Sequence, residues 1–225
     1  MNYLRAIWLI AHKDLASETR TFERLSSALF LALIILVVFS FAFDFGRAQS
    51  ADLAAGALWV TLPLAVVLGL HESFRSEREE EALSALRLAP LDDSAIYAGK
   101  LLSNLLLLMP PAVLVLLLCG LFFNLDLARA AAPLALVVSL NALGFAALGT
   151  LFAVLSSRSR RGETLLYLLL LPLAIPLVLA AVRSTTPLFE GRGLGSITAW
   201  LRLTLAMDLL FVTAGVLLFE YLAEE

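Results

Sequence analysis

Six stretches of this chain, residues 25–43, 53–70, 101–123, 133–155, 164–182 and 203–219, are almost wholly apolar. Each runs for roughly 17–23 residues, and at about 1.5 Å rise per residue that suits a hydrocarbon core of ~30 Å. Lipid offers no water to backbone N–H and C=O groups, so spanning segments of this kind have to be helical. The pattern predicts an all-α membrane protein with six transmembrane helices. Apolar residues make up 61% of the chain, well above the ~45–50% of an ordinary soluble domain. The sixth stretch is the least regular, because Asp208 interrupts it.

No soluble domain, long linker or repeat stands out, so residues 1–225 are read as one transmembrane domain. The lead, residues 1–24, is charged and too polar in its middle for a targeting segment, and is read as part of the mature chain. Lys and Arg set the orientation. On one side fall Arg5, Lys13, Arg20, Arg24, Arg75, Arg78, Arg87, Lys100, Arg158, Arg160 and Arg161, against Arg47, Arg129, Arg183, Arg192 and Arg202 on the other. By the positive-inside rule both termini and residues 71–100 are cytoplasmic, in a multi-pass arrangement. The loops on the opposite side are short, apart from a glycine-bearing segment at 183–202. Trp59 and Trp200 sit near expected span ends, where interfacial aromatics collect.

The connector between the second and third spans carries the densest charge, "EREEEALSALRLAPLDDSAIYAGK" at 77–100. Ser76 and Glu79 have the spacing of a capping box. Ala82, Leu83, Leu86 and Ala89 then share one helical face, and Glu80, Ser84 and Arg87 the other. Pro90 stops this helix, and Asp92, Asp93 and Ser94 offer caps for the next one, which runs through Lys100 into the membrane. Helix–helix links typically need only about 2–8 residues. A two-faced helix outside the bilayer therefore reads as a docking element for a cytoplasmic partner, with a solvated connector on the headgroups as the plainer alternative. In the lead, Leu4, Ile7, Trp8, Ala11 and Leu15 form a stripe away from Arg5, His12 and Lys13. That suits an amphipathic helix in the membrane interface, with a bend before Phe22.

An N-terminal interfacial helix, six spans and a cytoplasmic helix after span two resemble the ABC-2 type transporter permeases. More specifically, the chain resembles the haem exporter protein B family (CcmB), membrane subunits of the ABC system that matures c-type cytochromes. The resemblance covers essentially the whole chain. It rests on "HKDLASETRTFERLSSALFLALIILVVFSFAF" at 12–43, "ESFRSEREEEALSALRLAPLDDSAIYAGK" at 72–100, "NALGFAALGTLFAVLSSRSRRGETLLYLLLLPLAIPLVL" at 141–179 and "WLRLTLAMDLLFVTAGVLLFEYLAEE" at 200–225.

The resemblance implies that residues 77–90 form the coupling helix seated in a cleft of an ATP-binding partner. Glu79, Glu80, Ala82, Leu83, Leu86, Arg87 and Pro90 would then make that interface. Where the broader pattern usually has a glycine, this chain has Glu81-Ala82, so a more regular helix is expected. The partners implied are an ABC ATPase subunit, a polytopic haem-handling membrane subunit, a small single-span subunit, a downstream haem chaperone and a second copy of this chain. The location implied is the bacterial inner membrane. Haem is implied as cargo and ATP as the partner's ligand.

The residues themselves give no support for catalysis. A Gly-rich phosphate loop and a serine–histidine elbow are both missing from the sequence. His12 and His71 have no metal-ligand spacing, and a lone His71 at the inner end of span two reads better as a polar terminus than as an iron ligand. Asp92-Asp93 is read as helix capping rather than as an acidic catalytic pair. A net charge of −3 gives no nucleic-acid footprint. The lone cysteine, Cys119, lies in an apolar run and reads as a small buried hydrophobe.

Three intramembrane features remain. Asp208 sits mid-span, where a carboxylate needs a partner or a wet cavity, and Asn104, Ser139, Asn141, Thr150 and Thr164 are candidate partners. Pro110 with Pro111, and Pro172 with Pro176, mark candidate hinges or packing kinks. Gly144 and Gly149, with Ala146 and Ala147, give the fourth span a small-residue surface that could serve as a homodimer seam. The function expected is coupling of a partner's ATP hydrolysis to haem export or delivery. The alternatives are a non-transporting mechanical adaptor that releases the loaded chaperone, and a permease for a lipid, drug or polysaccharide.

Overall fold

A computed structural model describes residues 3–21, 23–42, 50–64, 93–157 and 162–224. Every long element among them is a helix: α1 (Tyr3–Thr21), α2 (Glu23–Ala42), α3 (Ser50–Leu64), α4 (Asp93–Phe122), α5 (Ala131–Ser157), α6 (Gly162–Phe189) and α7 (Thr198–Glu224). Segments within α4–α7, namely Ser94–Phe122, Ala128–Phe152, Pro172–Phe189 and Thr198–Phe219, are each long and apolar enough to cross a bilayer. Shorter apolar helices, Leu29–Phe41 and Ser50–Leu64, fall on the first two expected stretches, the second of which continues into residues outside those described. The chain is a multi-pass membrane protein.

α5 is the centre of the bundle and packs on α4, α6 and α7. α3 packs on α5 and α6 through Trp59. Its Trp59 is fully buried, donates Nε1–H to Thr185 Oγ1 on α6 at 2.8 Å, and stacks on Phe145 of α5 with centroids 6.3 Å apart. Trp59 is thus an interior anchor and not the interfacial aromatic that its place in the sequence suggested. Its polar N–H is satisfied by a threonine that also donates to Ala181 O, so burial leaves the indole N–H paired. Cys119 lies buried in the same core, with its thiol toward Ala54 O at 3.7 Å.

α6 runs on to Phe189, so most of the loop expected at 183–202 is helix. Ser184, Thr185 and Thr186 are buried there. The helix ends where Gly191 takes φ +78°, Arg192 N–H reaches Pro187 O and Gly191 N–H reaches Leu188 O. That is the Schellman pattern, with glycine at the left-handed position. α4 ends in a similar way on Asn124 (φ 51°), with Leu125 N–H donated to Gly120 O.

The small-residue surface of α5 is used up inside the chain. Gly144, Ala146, Ala147 and Gly149 are all buried, with Gly144 against Asp208 of α7 and Leu177 of α6. A dimer seam on that surface is therefore ruled out in this fold. Small residues let helices approach closely, and here the partners are α6 and α7.

α1 splits its expected stripe between two sides, Ala11 lying inward and Leu4 and Trp8 outward. Ala6, Ile10 and Ala11 are buried, while Leu4 (78% exposed) and Trp8 (57% exposed), two members of the expected stripe, face outward. The inward face is set by α4, where Gly99 admits Ile10: a Cβ on Gly99 would lie 2.8 Å from Ile10 Cβ and 3.1 Å from Ile7 O.

Candidate functional site

Buried polar side chains are spread through the bundle: Thr61 on α3, Lys100 and Ser103 on α4, Asn141 and Thr150 on α5, Ser184, Thr185 and Thr186 on α6, and Thr204 and Asp208 on α7. α7 turns Thr204, Asp208, Phe211, Gly215 and Phe219 inward at helical spacing. Phe211 and Phe219 belong to the apolar core, Gly215 is a gap, and Thr204 donates to Trp200 O at 3.1 Å. Asp208 is 4% exposed, and neither carboxylate oxygen has a hydrogen-bond partner among the described residues. The bare hydrogen of Gly144 makes room for that carboxylate, since a Cβ there would collide with Oδ1.

None of the five partners expected for Asp208 is bonded to it among the described residues. Asn104 Nδ2 donates to Thr150 Oγ1 at 2.8 Å, tying α4 to α5, and Thr150 passes its own proton to Ala146 O at 2.7 Å. Asn141 Nδ2 donates to Val137 O at 2.9 Å within α5, and Asn141 Oδ1 is buried without a partner among the described residues. Ser139 is exposed, and the side chain of Thr164 lies outside those described. Ser184 and Thr186 also bury hydroxyls without a hydrogen-bond partner among the described residues.

An unpaired aspartate at the centre of a span costs about 3 kcal/mol. Asp208→Asn keeps the shape and removes the charge. The substituted chain should therefore unfold in detergent about 1–3 kcal/mol later than the parent, read by thermal denaturation. A loss of stability instead would show that the carboxylate is held by a partner.

The expected hinges stay within unbroken helices. Pro110 and Pro111 lie inside α4, Pro172 and Pro176 inside α6, and Pro187 in the last turn of α6. The expected coupling contacts Glu79, Glu80, Ala82, Leu83, Leu86, Arg87 and Pro90, together with His71, lie outside the described residues.

A second polar junction was not foreseen. At the start of α4, Lys100 approaches Asp14 of α1 at 4.0 Å, and Ser103 donates to the same Asp14 Oδ2 at 3.3 Å. One turn away, Tyr97 is buried with Ile10, Ile96 and Phe219, and its ring fills the gap left by Gly215. The first turns of α4 thus hold α1 by charge and α7 by shape. One signal was available: Tyr97, Gly99, Lys100 and Ser103 cluster just after the charged connector, although their partners lie far off in sequence. Among the described residues no three His, Cys, Asp or Glu side chains gather as metal ligands.

The CcmB protein family model matches residues 5–221. Heme exporter protein B of Pseudomonas aeruginosa is 29% identical over 199 residues, 87% of this chain and 89% of that protein. Heme exporter protein B of Rhodobacter capsulatus is 34% identical over 150 residues, 65% of this chain and 67% of its own length. The Escherichia coli K12 protein of the same name is 27% identical over 175 residues, 77% of this chain and 79% of its own.

Proposed function

The chain belongs to the CcmB protein family, and from that membership we propose that it is the haem-export membrane subunit of an ABC-type complex in cytochrome c biogenesis. The observation that carries this reading is the family match from residue 5 to residue 221. It spans all seven helices, from the first turn of α1 to the last turns of α7.

The finer reading has six spans, the first two formed by α2 and by α3 with its continuation. Both termini and the 71–100 segment lie in the cytoplasm, and α1 lies at the membrane surface. A separate ATPase subunit hydrolyses ATP and grips residues 77–90 through Leu83 and Leu86, with Glu79, Glu80, Ala82, Arg87 and Pro90 around them. A haem-handling subunit, a small single-span subunit and a second copy of this chain complete the complex. A haem chaperone receives the product.

The start of α4 gives this reading a mechanical path. α4 follows the connector directly, so a push on residues 77–90 enters it at Asp93. Because Lys100 and Ser103 hold Asp14, and Tyr97 sits in the gap at Gly215, α1 and α7 are dragged with it. Pro110 and Pro111 interrupt backbone hydrogen bonding farther along α4, and Pro172 and Pro176 do so in α6. Those positions are where the helices would yield.

The test is replacement of the resident family member by this chain in a bacterium that needs it for c-type cytochromes, followed by haem flux into vesicles holding this chain and the ATPase. Restored cytochromes with ATP-dependent flux support export. Restored cytochromes without flux move the role to that of a mechanical adaptor, and no restoration overturns the assignment.

A further inference from the structure

We propose that the outward face of α1 is a docking surface for anionic phospholipid headgroups. This rests on the placement of α1 at the membrane surface, which the length of α4 supports. α4 has 30 residues, about 45 Å of helix against a hydrocarbon core of ~30 Å. Counting about twenty residues back from Phe122 uses up the core near Ser103, so the turns before it stand among the headgroups. Those are the turns that carry α1, through Gly99, Lys100 and Ser103.

The charges of α1 are sorted between its two faces. Asp14 is the acid among the described side chains of this helix, and it is turned to α4, where Lys100 and Ser103 meet it. Arg5 and Lys13 are exposed on the outer side, and between them run exposed Trp8, Leu9 and His12, with the Trp8 and His12 rings 6.5 Å apart. Two cations set among an indole and leucines at headgroup depth suit a phosphate-bearing surface. The apolar side chains reach the acyl boundary while the cations meet phosphate. A soluble acidic protein would leave Leu4 and Trp8 uncovered by lipid, which argues for the bilayer as the occupant.

The experiment titrates the full-length chain in neutral detergent with phosphatidylglycerol or with phosphatidylcholine, and reads binding from the shift in unfolding midpoint. Phosphatidylglycerol should bind more tightly. Arg5→Gln with Lys13→Gln should lower that affinity about fivefold for each charge lost, with the midpoint in phosphatidylcholine unchanged, and Arg5→Lys with Lys13→Arg should restore it. Equal binding of the two lipids, or a preference that survives the glutamine pair, overturns the proposal. A nitroxide on Leu4→Cys in a Cys119→Ala background tests the placement separately and should read headgroup depth. A label in bulk water overturns the placement itself. A label at headgroup depth without lipid preference overturns the headgroup chemistry alone, and loss of a co-purifying subunit in the glutamine pair would then assign this face to protein.

Discussion

If residues 77–90 dock an ATPase as proposed, replacing Leu83 and Leu86 together by aspartate should leave the chain inserted in the membrane and strip it of that partner. Two leucines seated in a protein cleft contribute about 4 kcal/mol of apolar burial, roughly a thousandfold in affinity. Carboxylates in the same cleft add the cost of desolvating charge with nothing opposite it. Co-purification from detergent extracts should therefore fall to background, and cytochrome maturation with it, while the amount of chain in the membrane fraction is unchanged. The opposite face supplies the control. Ser84→Asp, on the polar side of the helix expected from the sequence, should keep both partner and activity. If the double aspartate chain still brings down its ATPase, residues 77–90 are not the grip.

The second large effect lies in the bundle. A side chain at Gly215 would collide with the hydroxyl end of Tyr97, which is itself buried. The ring is rigid and its pocket is closed by Ile10, Ile96 and Phe219, so it has nowhere to move. Gly215→Leu should leave little folded chain, since overpacking of this kind costs about 1–3 kcal/mol and often more. Tyr97→Ala in the same chain frees the volume and should restore accumulation. Tyr97→Phe alone loses a long bond to Ala147 O of 3.5 Å and should be nearly silent. Normal accumulation of Gly215→Leu by itself would mean that α4 and α7 do not meet here.

What the sequence made legible follows from the solvent. Lipid demands length and greasiness, so the apolar runs were visible and helices occupy them. Orientation within the bundle was much less visible. A helix that is apolar all round, such as α5, carries no periodicity to say which side packs. Trp59 shows the consequence: near an expected span end it reads as interfacial, yet its N–H finds Thr185 inside the bundle. Asp208 was conspicuous as a charge out of place, but its surroundings were not. Of the side chains named as partners, Asn104 donates to Thr150, and Thr150 and Asn141 donate to their own helix backbone. In α1 the stripe was read as the side facing the membrane interface, and it is split: Leu4 and Trp8 are exposed, but Ala11 is buried. With lipid outside, Leu4 and Trp8 are at home on the exposed side, and small Ala6 with Ile10 suits the tight approach to Gly99. Asp14, Tyr97 and Gly215 were missed because each has meaning only through a partner on another helix.

All of these roles assume that the connector before α4 faces the cytoplasm, where an ATPase can reach it. The direct measurement places one cysteine at Ser84 in a Cys119→Ala chain and exposes sealed vesicles of each orientation to a membrane-impermeant maleimide. Labelling should occur in inside-out vesicles, be blocked when the ATPase is bound, and be absent from right-side-out vesicles. Labelling of right-side-out vesicles would contradict the account, because no cytoplasmic motor could then touch the helix.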